Sequence, residues 1–199
     1  IPQILNVPKQ QVQTDDNEAM IPLVGEGIEV MSVYFFMGDK PLLWRGPMLG
    51  KMLDHFFHGV KWADGTEVVI IDLPPGTGDV TIDVQRMLPQ TKVLVVTTPH
   101  VNASVVAFKA GTGSIELGHE IIGVVENMSY YVNPVSKARE HIFGEGGGLI
   151  VASKLQTDLL AQIPIGQPKR EGQFTYENDE ENGIIYDRLA KKVIAKLNL

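Results

Sequence analysis

Hydrophobic and polar positions along the chain follow two recurring patterns. Short runs that are apolar on both faces alternate with longer stretches in which apolar residues recur every three or four positions. Runs of the first kind are typical of strands inside a parallel sheet, and stretches of the second kind are typical of amphipathic helices. We predict strands at residues 27–36 (GIEVMSVYFF), 67–73 (EVVIIDL), 92–98 (KVLVVTT), 120–128 (EIIGVVENM) and 158–164 (DLLAQIP).

The helical pattern lies between these predicted strands. We predict helices at residues 46–59, 80–88, 103–117 and 149–155, and a terminal helix from about residue 180. Alternating strands and helices at this spacing indicate βαβ units. The fold is therefore predicted as α/β, with a mostly parallel sheet flanked by helices, and residues 1–199 are assigned to a single domain.

Composition and charge narrow the range of functions. The 199 residues are 44% hydrophobic and carry a formal charge of −7, which does not favour binding to DNA. No apolar run approaches the length of a membrane span, so we expect no membrane partner. The chain has no cysteine, which excludes disulfides, thiolate metal sites and cysteine nucleophiles within it. This composition is compatible with a cytoplasmic protein, which is our prediction.

The stretch DLPPGTGD, residues 72–79, interrupts the apolar pattern directly after a predicted strand. Ligands of open parallel sheets bind beyond the carboxyl ends of the strands, which places Asp72 at the expected ligand edge. A carboxylate there can hold Mg²⁺ beside nucleotide phosphates. Gly76 lets a main-chain N–H approach a phosphate with no side chain in the way. From these residues alone, the stretch is either a structural turn or part of a nucleotide–metal site.

Four stretches together resemble the Mrp/ApbC group of P-loop NTPases, which is related to the MinD and ParA ATPases. The resemblance covers nearly the whole chain and implies a P-loop NTPase fold with ATP and Mg²⁺ as ligands. The stretches are DLPPGTGD, LLWRGPMLGKML (42–53), GVVENMSYY (123–131) with IFGEGGG (142–148), and IPIGQP (163–168) followed by ENGIIYDRLA (181–190).

The resemblance also implies roles for individual residues. Asp72 is similar to the Walker B aspartate that holds Mg²⁺, and Gly76 with Thr77 to the segment that senses the γ-phosphate. Asn127 resembles the asparagine that reads adenine, since its amide offers both a donor and an acceptor. Pro164 resembles the residue that packs against the base. Without the family, Asn127 reads equally well as a turn residue at a strand end.

The chain lacks one motif that this family uses. A Gly-rich KGGVGK[ST] loop binds phosphate in these NTPases, and no such loop occurs here. The segment GEGGG (144–148) lacks the Lys and Ser/Thr that would follow, and we predict that it is a turn. The chain therefore resembles the later part of such a protein, with the first βαβ unit absent. ATPase activity is expected only if the full-length protein supplies the phosphate loop.

A second departure concerns the iron–sulfur cluster. Cluster-binding members carry a CPxC pair, from which two subunits supply thiolates to a bridging cluster. Here the corresponding residues are Asn133, Pro134, Val135 and Ser136. Neutral Asn and Ser side chains are poor iron ligands, so cluster binding is in doubt.

Two functions follow from these observations. The first is an Mrp-type ATPase, a homodimer by resemblance, that serves iron–sulfur acceptor proteins. The alternative is a regulator without a cluster, in which the nucleotide state controls binding to a protein or DNA target.

Overall fold

The structure is a computed structural model and describes residues 1–37, 46–76, 78–170 and 173–199. These residues divide into two compact units, Ile1–Leu73 and Pro74–Leu199. The assignment of the whole chain to a single domain stays a prediction.

The second unit is built on a parallel sheet of three strands. Strand β5 (Lys92–Thr97) pairs with β6 (Glu120–Glu126), which pairs in turn with β9 (Leu159–Gln162). Two crossover helices, α4 (Val101–Glu116) and α5 (Gly147–Lys154), connect these strands. The predicted α/β class, with a parallel sheet flanked by helices, is confirmed in this unit.

One face of this sheet is covered by α4 and α5, which also pack against each other. Burial of apolar side chains stabilises this arrangement, because each helix places its apolar stripe on the β-branched residues of the strands. The core residues are Val95, Ala107, Val124, Val151, Ala152 and Leu155, and Val124 is completely buried.

Four further elements complete the second unit. Helix α3 (Asp79–Met87) precedes β5, and the short strands β7 (Tyr131–Val132) and β8 (Arg139–Glu140) form an antiparallel hairpin. Helix α6 (Glu181–Leu197) packs against β9. The predicted helices at 80–88, 103–117 and 149–155 and from residue 180 are confirmed, with boundaries that differ by a few residues.

The first unit contains short strands and two helices. Strands β1 (Gln13–Thr14) and β2 (Met20–Ile21) pair antiparallel, as do β3 (Leu23–Gly25) and β4 (Ile28–Val30). Helix α1 spans Tyr34–Met37, and α2 spans Gly46–His58, as the pattern at 46–59 predicts. A small core of Leu23, Val30 and Phe35 joins the β3–β4 hairpin to α1.

The prediction of one strand over residues 27–36 is wrong. Glu26 and Gly27 both have positive φ, 50° and 75°, and form the two-residue turn of the β3–β4 hairpin. The strand ends at Val30, because the Ser32 hydroxyl then accepts the Tyr34 N–H at 3.3 Å and α1 begins.

The prediction of a strand over residues 67–73 is also wrong in this structure. No described strand pairs with this segment, and the side chains of Val68, Val69 and Ile70 are exposed, Ile70 by 90%. β-Branched residues favour a strand where neighbouring strands bond their main-chain groups and cover their side chains. The described part of the chain provides no such neighbour here.

Among the described residues, no helix is both long enough and apolar enough to cross a membrane.

Candidate functional site

The carboxyl ends of the three parallel strands are joined by main-chain hydrogen bonds. The N–H of Asn127 donates to Thr97 O at 2.7 Å, and the N–H of Ile163 donates to Glu126 O at 2.8 Å. The N–H of Ser129 then donates back to Ile163 O at 2.9 Å. The residues just after β6 and β9 therefore lie side by side at one edge of the sheet, where ligands of open α/β sheets bind.

Asn127 is half-buried at this edge, and its amide has a fixed orientation. Its Oδ1 accepts the N–H of Met128 at 2.9 Å, which supports the positive φ of 53° at Met128. Its Nδ2 forms no hydrogen bond with any described residue. An amide oxygen has a second lone pair, so the side chain can still offer one acceptor and two donors to a ligand. Asn127 therefore stabilises the turn after β6, and its side chain can still form hydrogen bonds with a ligand.

Pro164 lies at the same edge, two residues after the end of β9, but it is buried. Its carbonyl oxygen accepts a hydrogen bond from Asn182 Nδ2 at 3.2 Å, which ties the first turn of α6 to the end of β9. The contact of Pro164 with a nucleotide base stays a prediction, because the described structure shows the residue packed within the protein.

Glu126 is a residue that the sequence patterns did not single out. Its side chain is 1% exposed, at the end of an otherwise apolar strand. Its Oε1 accepts hydrogen bonds from Ser129 Oγ at 2.6 Å and from Gln162 Nε2 at 2.8 Å, and its Oε2 accepts the Gly148 N–H at 2.6 Å. The sequence contained one indication of this role, because Glu126 is charged at a position where the strand pattern predicts a buried side chain.

The Gly-rich segment 144–148 is partly a turn and partly a helix. Gly146 caps α5 with φ of 79°, a conformation that favours glycine, and the helix begins at Gly147. A Cβ on Gly148 would lie 2.7 Å from Glu126 Cβ, so this position has no room for a side chain. The predicted turn thus ends at Gly146. Gly148 brings α5 close to β6, and Gly147 brings it close to Ser104 of α4 and to Pro99.

The predicted Mg²⁺ and phosphate residues lie in and just beyond the first unit. Asp72 is exposed, and its carboxylate forms no hydrogen bond or ion pair with a described residue. Its oxygens fit Mg²⁺, which prefers carboxylate oxygens, waters and phosphates. Gly76 has φ of 87°, and nothing lies within 4 Å of the position that a Cβ would take. Thr77 lies outside the described residues.

The hairpin that replaces the CPxC pair is held by its own hydrogen bonds. Asn133 Oδ1 accepts the N–H groups of Val135 and Ser136 at 3.0 and 3.1 Å, and Asn133 Nδ2 donates to Glu140 Oε1 at 2.8 Å. Val135 is 91% exposed at the tip. These residues do not fit a cluster, because Asn133 is already bonded and a hydroxyl is a poor iron ligand. Elsewhere in the described chain, no group of three or more His, Asp or Glu is placed to hold a metal ion.

Comparisons with known proteins place this geometry in a family. A family model described as "ParA: NUBPL iron-transfer P-loop NTPase" matches residues 1–194. The chain is 44% identical over 191 residues to the iron-sulfur cluster carrier protein of Bacillus subtilis, covering 94% of this chain and 54% of that protein. It is 39% identical over 166 residues to the protein of the same name in Mycobacterium tuberculosis H37Rv, covering 83% and 42%. The chain thus spans about half the length of these relatives.

Solved structures agree with the fold. A nucleotide-binding protein from Archaeoglobus fulgidus, determined in complex with ADP, matches with a TM-score of 0.69 and 30% identity, covering 83% of this chain and 64% of that one. The cell division ATPase MinD of Pyrococcus furiosus matches in fold with a TM-score of 0.51 and 20% identity, covering 74% and 57%. The predicted resemblance to Mrp/ApbC P-loop NTPases is confirmed.

Proposed function

The chain belongs to the NUBPL iron-transfer P-loop NTPase family, and from this premise we propose that it binds and hydrolyses ATP as an Mrp-type protein. The proposal rests mainly on the position and the hydrogen bonds of the Asn127 side chain. Its amide lies at the ligand edge of the sheet, its orientation is set by the Met128 N–H, and its Nδ2 has no described partner. The ADP complex of the Archaeoglobus fulgidus protein supports nucleotide as the ligand.

The orientation of Asn127 favours adenine over guanine. With Oδ1 turned towards the Met128 N–H, the second lone pair of Oδ1 accepts from an exocyclic amine while Nδ2 donates to a ring nitrogen. Adenine offers an amine donor beside a ring acceptor, whereas guanine offers a carbonyl acceptor beside a ring N–H donor. A guanine held in the same orientation, with its carbonyl oxygen in place of the adenine amine, would require the amide to turn and break the bond to Met128 N–H.

In this proposal the hydrolytic residues are those of the DLPPGTGD stretch. Asp72 would hold Mg²⁺, which would supply charge neutralisation at the nucleotide phosphates. The main chain at Gly76 approaches the γ-phosphate, and Thr77 adds a hydroxyl contact that depends on the nucleotide state. The proposal also requires a phosphate loop for the remaining anion contacts, and ATP hydrolysis is proposed only for a full-length protein that supplies one.

Membership of the family supports a role in iron–sulfur cluster assembly or transfer. The residues of the β7–β8 hairpin, however, do not favour a cluster bound by this chain. The self-bonded Asn133 turn and the exposed Val135 favour a second function, a nucleotide-switched regulator that binds a protein or DNA target without a cluster. Acceptor proteins are the partners in the first case. A homodimer and a cytoplasmic location belong to both versions of the proposal.

The test is equilibrium binding of ATP and GTP, with Mg²⁺, to the full-length protein. We expect ATP to bind more tightly, and we expect Asn127→Leu to weaken ATP by about tenfold, since it removes hydrogen bonds worth about 1 kcal/mol or more. Asn17→Ala, in an exposed turn, is the matched control and should change neither affinity. Equal affinity for the two nucleotides, or no affinity for either, would refute the proposal.

A further inference from the structure

The buried carboxylate of Glu126 connects three segments that meet at the ligand edge of the sheet. The Ser129 hydroxyl comes from the turn after β6, the Gly148 N–H from the first turn of α5, and the Gln162 amide from the end of β9. The three donor–acceptor distances are 2.6, 2.6 and 2.8 Å. Each segment supplies one donor, and both carboxylate oxygens are used.

All three donors are neutral, and no described Lys, Arg or His forms an ion pair with Glu126. A carboxylate that is 1% exposed and has no ion-pair partner among the described residues depends on its hydrogen bonds to offset the loss of water. Moving any one segment would leave a buried oxygen with fewer partners. The three segments are therefore held in a single arrangement.

This arrangement fixes the two predicted base-binding positions. The Ser129 bond closes the turn that contains Asn127 and Met128, and so it maintains the main chain on which the Asn127 amide is oriented. The Gln162 bond holds the end of β9, two residues before Pro164. We propose that Glu126 is a positioning residue of the base site and that it sets the preference for adenine. The inference rests on the proposed function, nucleotide binding.

Glu126→Gln is the informative substitution, because it keeps the size of the side chain. An amide has one acceptor oxygen and one NH₂ group, whereas the carboxylate presents two acceptors. The NH₂ group opposes the Gly148 N–H in one orientation. In the other orientation, the Ser129 hydroxyl and the Gln162 amide must both turn to present acceptors, so their present contacts with Glu126 are lost. Ser129→Ala is a milder second variant that removes a single donor and leaves both oxygens in place.

The experiment measures three quantities for the full-length protein: the ratio of ATP to GTP affinity, the exchange rate of the Gly148 N–H, and the thermal midpoint. For Glu126→Gln we expect the affinity ratio to fall by about tenfold. Faster exchange of the Gly148 N–H would show that the Gly148 contact is the one lost, and unchanged exchange would show that the Ser129 and Gln162 contacts are lost instead. Ser129→Ala should lower the ratio by a smaller factor. Glu120→Gln, at the exposed start of the same strand, is the control and should leave the ratio unchanged.

The outcomes separate the inference from the function on which it rests. If the wild type prefers ATP and Glu126→Gln lowers only the thermal midpoint, Glu126 is merely structural and the inference is wrong while ATP binding stands. If the wild type binds neither nucleotide, the proposed function and the inference both fail. A parallel fall in selectivity for Glu126→Gln and Ser129→Ala supports the inference.

Discussion

Helix α4 approaches the end of α5 so closely at Gly111 that a Cβ there would lie 2.5 Å from Leu155 Cδ1. Both residues are buried, and Leu155 belongs to the core over the parallel sheet. A second glycine two positions on, Gly113, has nothing within 4 Å of its Cβ position. The two glycines in this helix therefore have different roles: the first permits close packing of two helices, and the second lowers helix stability without a described packing need.

The first prediction uses this pair. Gly111→Ala should lower the free energy of unfolding by about 1–3 kcal/mol, because the new methyl group overlaps Leu155 Cδ1 and forces this core side chain to shift. Gly113→Ala should raise it by about 0.5–1 kcal/mol, because alanine loses less backbone entropy in a helix than glycine does. Denaturant unfolding of the two variants measures both changes. Destabilisation of equal size in both would contradict the packing argument.

The sequence predicted best the elements whose apolar spacing continues over their whole length. Strand β5 and helix α4 have the expected spacing over their whole length, and each is covered by neighbours close in the chain. Residues 67–73 carry an equally strong strand pattern, yet no described strand pairs with them. A sequence pattern reports what a segment can form, and whether it forms depends on a partner that the pattern does not contain.

The position of the candidate site residues follows the same rule. Asn127 and Pro164 were named through the family resemblance, and both lie at the carboxyl ends of parallel strands. Their contact with a base stays a prediction. Burial of Pro164 and the network around Glu126 could not be predicted, because they depend on α5, α6 and β9 meeting at one point. A single charged residue in an apolar strand indicates burial with partners but does not identify them.

The second prediction concerns Gly76, whose φ of 87° is matched by the φ of 90° at Gly118. Neither position has an atom within 4 Å of a new Cβ, so Gly76→Ala and Gly118→Ala should each cost about 1–2 kcal/mol of stability through backbone strain alone. ATP hydrolysis by the full-length protein should fall by at least about tenfold in Gly76→Ala, because the methyl group blocks the approach of main chain to phosphate. Gly118→Ala should hydrolyse ATP at the normal rate. Equal rates in the two variants would remove Gly76 from the site.

The third prediction concerns the pH dependence of the contact between β9 and α6. Lys196 Nζ donates to Asp158 Oδ2 at 2.8 Å, and this hydrogen bond, together with the lysine charge, lowers the pKa of Asp158 below its ordinary value of 3.8. A carboxyl group with a lowered folded-state pKa contributes stability above pH 3.8, and the contribution is lost as pH falls through the lowered pKa. Lys196→Met should therefore raise the pKa of Asp158 and destabilise the protein at neutral pH but not in strong acid.

Carboxyl-detected NMR titration of Asp158 measures this change directly. Lys191→Met is the control, since it removes an exposed pair with Asp187 on the same helix. It should leave the pKa of Asp158 where it is in the wild type. An Asp158 pKa that does not rise in Lys196→Met would show that the hydrogen bond is not its cause.

The fourth prediction concerns the hairpin between β7 and β8. The main-chain bonds that close it, Asn133 N–H to Ala138 O and Lys137 N–H to Asn133 O, are both 2.9 Å and do not depend on the side chains of Asn133 and Ser136. The double variant Asn133→Cys with Ser136→Cys loses the side-chain bonds of Asn133 but keeps these main-chain bonds. We therefore expect a hairpin of lower stability that still presents two thiolates per chain. Thiolates are the ligands that iron–sulfur clusters require. We expect the full-length wild type to retain no iron or sulfide after anaerobic reconstitution, and the double variant to retain both.

Bound iron and acid-labile sulfide, measured after gel filtration, test this expectation. Ser136→Cys alone is the control, because one thiolate per chain gives two per dimer, half of what a four-iron cluster needs. Stoichiometric iron and sulfide in the wild type would show that ligands outside this hairpin hold a cluster, and the regulator hypothesis would then lose its main support. Failure of the double variant would mean that the hairpin, despite its position in the sequence, does not bring the thiolates of two chains together.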